Sequence, residues 1–192
     1  MKYFLILTVV VVSIFQSINV FAQSSRSQST RSSTGKGGGL FDFALYYGQT
    51  EGSSDPVNTN QSKLNESYYD MKLGYLFGMG LYLGAEYESR NSGFVGGSTS
   101  GNGAAVGAGY FFQNGINLRS YYRFNNSYSD FRGGTGFQLD AGFHEMFATN
   151  FYLGVLLSYR KMNFSRRESD PALTRFSFDS TYPMLTFGFL IN

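Results

Sequence analysis

Several otherwise apolar segments of the chain carry charged residues on one face. The residues of this set are Asp42, Asp70, Lys72, Glu86, Glu88, Arg119, Arg123, Asp140, His144 and Arg160. In an extended chain, residues two apart project from the same side. The five acids and four bases nearly balance. This balance predicts a buried polar network, acting either as a salt-bridged plug or as a polar conduit or gate.

The only histidine is His144, so any mechanism that needs an imidazole must use it. Asp140 lies four residues earlier on the same face, about 13 Å away in a strand, too far for a direct acid–base pair. The chain has no second histidine and no cysteine to complete a metal site. We therefore expect a protein that is not an enzyme and that has no cofactor and no metal.

Eight segments of alternating character position these residues. They cover residues 40–48, 68–77, 81–88, 104–112, 116–124, 135–144, 151–160 and 182–191. Each is about ten residues long, the length that a tilted strand needs to cross a bilayer. Within GYLFGMGLYLGAEY (74–87), two alternating runs flank a glycine turn, which predicts a β-hairpin.

One face of each segment is mainly aromatic and aliphatic, whereas the other mixes glycine with charges. An apolar exterior facing lipid and a polar interior fit this division. We expect aromatic belts at the two membrane interfaces. Their predicted members are Tyr47, Tyr69, Tyr87, Tyr122 and Tyr159 near the long loops, and Tyr75, Phe77, Phe112, Phe143 and Phe151 near the short turns.

The connections between the segments alternate between short and long. Short turns are predicted at 78–80, 113–115 and 145–150, and long polar loops at 49–67, 89–103, 125–134 and 161–181. This asymmetry is typical of outer-membrane barrels, whose short turns face the periplasm. The predicted fold is an all-β, eight-stranded antiparallel up-and-down transmembrane barrel with both termini periplasmic. A soluble lipocalin-like barrel with an apolar interior is the alternative.

The N-terminal residues predict export. Lys2 precedes an apolar run, and VFA at 20–22 has the small residues that a signal peptidase reads, so cleavage is expected after Ala22. Residues 23–39, rich in Ser and Gly, are expected to be a disordered leader, and 40–192 the barrel. A net charge of +2 predicts no nucleic-acid partner.

The signal peptide, the eight amphipathic segments and the loop asymmetry resemble the small eight-stranded outer-membrane barrels of Gram-negative bacteria. The similarity is to the OmpA transmembrane-domain, OmpX and OmpW group, and it covers about residues 40–192. It implies an outer-membrane location and assembly by the outer-membrane insertion machinery. Outer-membrane lipid and lipopolysaccharide are the expected partners, and a monomer is the expected state.

Three functions remain open at this stage. The first is a non-enzymatic barrel that contributes to surface integrity or contact through its extracellular loops. The second is a narrow channel for small or hydrophobic solutes, as in the OmpW type, and the third, a remote one, is an outer-membrane hydrolase. In the loops, the doublet Arg166-Arg167 is either a ligand for lipopolysaccharide phosphates or merely solvated.

Overall fold

The computed structural model describes residues 37–52, 62–94, 97–167 and 176–191. The predicted signal peptide (1–22) and residues 23–36 of the predicted leader lie outside the described residues. The first strand begins at Gly38, so the last residues of the segment that we assigned to the leader belong to the barrel. Within the described ranges, no helix has the length and apolar character needed to cross a membrane.

The described fold consists of eight long strands and one two-residue strand. Their bounds are β1 Gly38–Gly52, β2 Ser62–Leu76, β3 Leu81–Phe94, β4 Gly97–Phe111, β5 Ile116–Tyr128, β6 Phe131–Ala148, β7 Phe151–Phe164, β8 Arg166–Arg167 and β9 Phe176–Ile191. Each long strand pairs antiparallel with the next long strand, and β9 pairs with β1 to close the barrel. The closed, eight-stranded antiparallel up-and-down barrel is therefore confirmed.

One end of the barrel, here called the base, carries three short turns, after β2, β4 and β6. Two of these turns end in glycines with left-handed backbone angles, Gly80 (φ 93°) and Gly115 (φ 86°), which L side chains adopt poorly. The carbonyl of Gly80 also accepts a hydrogen bond from the backbone N–H of Phe111, at 2.8 Å. The turn glycines therefore tie neighbouring hairpins together. The opposite end is called the rim.

The strands extend further toward the rim than the sequence predicted. β5 and β6 are separated only by a turn at Ser129-Asp130, so the long loop predicted at 125–134 was wrong. Strands also occupy most of 89–103. The alternation of polar and apolar residues ends here, but backbone hydrogen bonds continue because they do not require an apolar face.

The two edges of β1 are paired to different extents. Its ladder with β2 covers the whole strand, whereas its ladder with β9 ends at Leu45↔Leu185 although both strands continue toward the rim. Leu190 donates its backbone N–H to Asn150, beside β7. Since successive amides of a strand point to alternate neighbours, position 183 faces β1. Pro183 has no N–H to donate there, so the ladder loses a donor at this position.

The two faces of the wall differ sharply in chemistry. Large apolar residues point outward and are exposed, for example Leu73 (59%), Tyr122 (58%) and Leu157 (52%). Charged residues such as Asp42 and Arg123 point inward and are completely buried. The barrel is therefore apolar outside and polar inside.

Candidate functional site: a buried ion-pair network

The predicted polar set lies inside the barrel, contributed by strands around the wall. Its most buried members are Asp42, Asp70, Lys72, Glu86, Arg119, Arg123, Asp140 and Arg160. Glu88 and His144 are partly buried. Since side chains alternate along a strand, the apolar outward positions force these inward positions into the interior.

Lys72 lies at the centre of three carboxylates from three different strands. Its Nζ lies 3.1 Å from Asp140 Oδ2 on β6 and 3.3 Å from Glu86 Oε2 on β3. A third carboxylate, Asp70 on β2, lies 3.4 Å away. All four side chains are fully buried. One ammonium group therefore links strands on opposite sides of the barrel.

Two arginines extend the network toward the rim. Arg123 donates from Nη1 to Glu86 Oε1 at 2.6 Å and is also paired with Glu88. Arg160 donates from Nη1 to Glu88 Oε2 at 2.8 Å and is also paired with Asp70. Glu88 therefore bridges two guanidinium groups, and the network is continuous from β2 to β7.

A separate pair lies closer to the base. Arg119 donates to Asp42 Oδ2 at 2.5 Å, and the hydroxyl of Thr186 donates to the other oxygen of Asp42. Both charges are buried. The ion pair therefore connects β1 to β5, and the hydrogen bond from Thr186 connects β1 to β9.

Sequence reasoning missed Gln138, which lies within the network. Its amide nitrogen donates to Glu86 Oε2 and to Asp140 Oδ1, each at 2.9 Å, and its oxygen accepts from Arg123. The alternation placed Gln138 two residues from Asp140 on the inward face. That position was the available signal, but only ionisable residues were selected.

A second missed group lies at the rim, where Arg90 donates to Glu66 Oε1 at 2.9 Å. The guanidinium carbon of Arg90 lies 4.3 Å from the centre of the Tyr128 ring and 4.8 Å from that of Tyr68. Arg90 continues the inward spacing of Glu86 and Glu88 by two residues. It was missed because the third segment was ended at residue 88.

Aromatic clusters lie on either side of the ion pairs. Toward the base, buried Leu40, Tyr82, Ala105, Phe111, Tyr121 and Tyr152 pack together. Toward the rim, Tyr68 and Tyr182 share a hydroxyl–hydroxyl hydrogen bond of 2.5 Å, and the ring of Tyr46 lies 5.1 Å from that of Tyr182. The interior is therefore filled by side chains along its length.

Inward glycines provide the space for these rings. A Cβ on Gly74 would lie 2.8 Å from the Cζ of Tyr82, and one on Gly188 would lie 2.6 Å from the hydroxyl of Tyr152. Both distances are far shorter than packed atoms adopt. The sequence analysis noted glycine on the inward face, and the structure shows which rings lie over it.

His144 lies apart from the acids of the network. Its Nδ1 is 3.4 Å from the side-chain nitrogen of Asn117, and its ring lies 5.2 Å from that of Phe111 and 5.1 Å from that of Tyr152. Asp140, the acid four residues earlier on the same inward face, instead faces Lys72 and Gln138. The structure therefore does not bring Asp140 and His144 together.

Three acids of the network, Asp70, Glu86 and Glu88, have carboxylate oxygens within 4.8 Å of one another. Hard metal ions prefer oxygen ligands of this kind. Here, however, Lys72, Arg123 and Arg160 already compensate these charges. An added cation would be repelled by these groups, so the cluster is suited to ion pairing rather than to binding a metal.

The predicted belt residues lie on the outer wall. Those assigned to the short turns lie toward the base, whereas Tyr69, Tyr87 and Tyr122 lie near the middle of β2, β3 and β5, because these strands extend further toward the rim than predicted. Those with exposed side chains are Tyr47, Tyr69, Tyr75, Phe77, Tyr87, Phe112 and Tyr122, whereas Phe143, Phe151 and Tyr159 are half-buried. The half-buried rings contact neighbouring rings, as Phe151 does with Phe189 at 5.0 Å. Exposed rings therefore lie at the base end of the wall and around the middle of its strands.

The interior as a whole is a network of paired charges between aromatic clusters. Each cation of the network has a carboxylate within ion-pair distance, and the histidine lies with an amide and two rings. A functional assignment therefore has to be argued from this geometry, because comparison with known proteins gives no related family. No family model matches the chain, and no curated protein matches it significantly.

Proposed function

We propose that the protein is an integral outer-membrane barrel with a closed, salt-bridged interior that acts in surface integrity or contact through its outer rim. The observation that carries the proposal is the inside-out wall: exposed Leu73 and Leu157 outside, buried Lys72 and Arg123 inside. A water-soluble barrel would expose its charges and bury its leucines. The same chemistry supports the resemblance to the small outer-membrane barrels.

The seam between β1 and β9 supports a position for the membrane. Backbone groups without hydrogen-bond partners are not tolerated in hydrocarbon. The β1–β9 ladder ends at Leu45↔Leu185, and the next outward residues are Tyr47 and Pro183. The outer hydrocarbon boundary is therefore proposed at Tyr47, with the rim in the headgroup layer and water. The base, with both ends of the described chain, then faces the periplasm.

The filled interior supports a barrier rather than a pore. Eight strands enclose only enough space for side chains, and the charges at the centre are buried and paired across the barrel. A buried charge that loses its partner is strongly destabilising, because neither water nor another charge compensates it. An ion path that separates these pairs is therefore unfavourable.

Conductance across a planar bilayer tests the proposal. Residues 23–192, refolded and inserted, should give a silent membrane while protease protection shows that the barrel is inserted. Steady unitary current steps would contradict a closed interior. A failure to insert at all would contradict the membrane location itself.

A narrow, gated channel is the second candidate, and one observation favours it. Some buried polar atoms of the network, Asp70 Oδ1 and Arg119 Nε, have no hydrogen-bond partner within the described residues. Such atoms can exchange partners if the network rearranges. Replacing Arg119 or Arg123 by Ala separates the candidates, because loss of stability with unchanged permeability indicates a plug. An increase in permeability without loss of stability indicates a gate.

An outer-membrane hydrolase remains the third and most remote candidate. A hydrolase with a histidine mechanism would have to use His144. The side chain of His144 lies beside Asn117 and the rings of Phe111 and Tyr152. Lipid- or peptide-cleaving activity that survives the His144→Ala substitution would exclude that mechanism. A monomer that depends on the outer-membrane insertion machinery remains our prediction.

A further inference from the structure

Small uncharged polar side chains form a row across three strands near the rim. In the register of the sheet, Ser67 on β2 is opposite Asn91 on β3, and Asn91 is opposite Ser100 on β4. All three share the outward face with the apolar residues nearer the base, since residues two apart on a strand project from the same side. Asn91 and Ser100 are exposed, and Ser67 is half-buried. The row therefore presents hydroxyl and amide groups to the surroundings of the rim.

A second row lies two residues nearer the base. It consists of Ser89 on β3, Asn102 on β4 and Ser127 on β5, each opposite the next. The hydroxyl of Ser127 donates to Asn102 Oδ1 at 2.8 Å, and the backbone N–H of Asn102 donates to Ser127 Oγ at 3.3 Å. These contacts fix the orientation of both side chains. The six residues of the two rows are called the neutral face.

The neutral face differs in composition from the other side of the rim. There, Lys161 on β7 is opposite Asp179 on β9, and both side chains are exposed. Such a pair of opposite charges stabilises a sheet. None of the six residues of the neutral face is charged, and asparagine is uncommon in strands. Strand stability therefore does not explain this composition, whereas a role in binding does.

Part of the neutral face forms a groove with a volume of about 360 Å³. Four of the six residues line it, together with Tyr87, which lies two residues nearer the base on β3. Binding sites for small molecules have volumes of about 300–1,000 Å³. Arg132 also lines the groove, but its Nη1 donates to the carbonyls of Ser129 and Phe131 at 2.7 and 3.1 Å. Binding is therefore argued from the hydroxyl and amide groups and not from the charge of this arginine.

The chemistry of the groove suits a sugar. A serine hydroxyl and an asparagine amide can each donate and accept hydrogen bonds, as the hydroxyl groups of a sugar can. The ring of Tyr87, which is 51% exposed, offers an apolar surface to the C–H face of a sugar ring. A phosphate or a carboxylate would need a cationic partner, and the neutral face supplies none. The expected ligand is therefore an uncharged sugar.

The register places the neutral face beside the proposed membrane boundary. Ser67 is directly opposite Tyr47, the residue at which the outer hydrocarbon boundary is proposed. From there β3 and β4 continue toward the rim. On the proposed function, the lower end of the neutral face lies in the headgroup layer and its upper end in water. This position fits a sugar chain that is attached to a lipid of the same leaflet.

We propose that the neutral face binds the uncharged sugar chain of a glycolipid in the surrounding leaflet. The serine and asparagine side chains form hydrogen bonds with the sugar hydroxyls, and Tyr87 packs against the sugar nearest the membrane. The inference rests on the proposed function for the lipid source of the sugar, whereas binding of the sugar itself can be tested in detergent.

The test measures binding of refolded residues 23–192 in neutral detergent to an array of lipid-linked oligosaccharides. The array carries uncharged hexose and N-acetylhexosamine chains, and the same chains with an added phosphate or carboxylate. We expect binding to uncharged chains, and we expect Asn91→Ala and Ser100→Ala each to weaken it about threefold to tenfold, because each removes hydrogen bonds to the sugar. Absence of binding to every uncharged chain, or tighter binding of the charged chains, would overturn the proposal.

The matched control is Asn163→Ala, which removes an exposed asparagine of β7 on the other side of the rim. This variant should bind the uncharged chains as the natural protein does. A loss of binding equal to that of Asn91→Ala would contradict a site on the neutral face. Because Asn91 and Ser100 are exposed, neither substitution should shift the unfolding midpoint, so weaker binding reports the site and not the fold.

Vesicles that hold the inserted protein test the lipid source of the sugar. A lipid-linked chain shares the membrane with the neutral face, which raises its effective concentration, so it should compete at least about tenfold better than the same free oligosaccharide. Equal competition would overturn the assignment to a glycolipid. A protein that fails to insert but binds uncharged chains in detergent contradicts the proposed function and retains the site. A protein that inserts but binds no uncharged chain contradicts the site alone.

Discussion

The base half and the rim half of the barrel are closed by different interactions. In the base half, β1 and β9 form a continuous ladder, and Asp42 joins Arg119 and Thr186 across the interior. In the rim half that ladder is absent beyond Leu45↔Leu185 among the described residues, and the Tyr46, Tyr68 and Tyr182 rings lie behind the gap. On the proposed membrane position, the backbone ladder is continuous where lipid would surround the wall and ends where water would hydrate the strand edges.

At the rim, contacts between tyrosine side chains take the place of the missing β1–β9 ladder. A tyrosine hydroxyl can form hydrogen bonds with water or with another hydroxyl, so these side chains can lie close to water. Charges at the level of Lys72 cannot, because burial leaves them only the partners that the fold provides. The two halves should therefore respond differently to substitution.

The largest effect is expected from removing the central cation. Lys72→Ala leaves three buried carboxylates without their shared ammonium, and the free energy of unfolding should fall by about 3–5 kcal/mol. Urea titration in detergent micelles measures this change. Lys161→Ala, at an exposed outward position, should change the free energy by less than about 0.5 kcal/mol. A similar loss of free energy in both variants would contradict a stabilising role for the buried ion pairs of Lys72.

Two glycines of β3 extend the comparison from charge to volume. A methyl group on Gly84, in the base half, would lie 2.6 Å from the backbone oxygen of Leu73 and would also meet Tyr82, whereas one on Gly93, at the rim, has nothing within 4 Å. Gly84→Ala should destabilise the barrel by about 1–3 kcal/mol. Gly93→Ala should be nearly neutral, and equal losses in the same urea titration would contradict a difference between the halves.

The tyrosine cluster should contribute less. Tyr68→Phe removes the 2.5 Å hydroxyl–hydroxyl bond to Tyr182, and the expected loss is about 1 kcal/mol. Because the bond has two partners, Tyr182→Phe should add little to Tyr68→Phe in a double-mutant cycle. The exposed Tyr122 provides the control, since its change to Phe should leave the unfolding midpoint unchanged. Additive losses from the two buried tyrosines would contradict a shared bond.

The smallest effect concerns the seam itself. Pro183→Ala restores a backbone N–H that faces β1, so that the ladder can extend by one bond and stability can rise by about 0.5 kcal/mol, the lower end of the range for one hydrogen bond. Hydrogen exchange provides the local measurement: the β1 amides beyond Leu45 that face β9, such as that of Tyr47, should exchange faster than those of Phe43 and Leu45, which lie within the ladder. The substitution should slow that faster group. Unchanged exchange would mean that Pro183 does not cause the gap.

The architecture could be predicted from the sequence because the outward face of the wall is apolar and the inward face is polar. Alternation at positions such as Leu81, Leu83 and Glu86 assigns each residue to one face, so strand number and facing could be predicted. Pairing between distant strands could not be predicted. Asp42 and Arg119 are 77 residues apart, and alternation contains no information on which inward charges lie at the same level.

The strand ends were the least predictable feature. Beyond the apolar band both faces are polar, so segments such as 97–103 have the composition of a loop although they are paired. The gap in the seam did have a sequence signal. Pro183 lies within an apolar strand segment, where proline is restricted to positions that need no hydrogen bond, and this signal was not used.

The Asp42 contacts determine the order in which the barrel can be completed. This residue lies on the first strand, and its partners Arg119 and Thr186 lie on the fifth and the last long strands. A chain emerging from a ribosome or a translocation pore makes the aspartate early and Thr186 only near its end. Arg119 can neutralise the carboxylate earlier, but until Thr186 arrives one oxygen of Asp42 lacks its hydroxyl partner and depends on water. Completion of the barrel is thereby tied to arrival of the final strand.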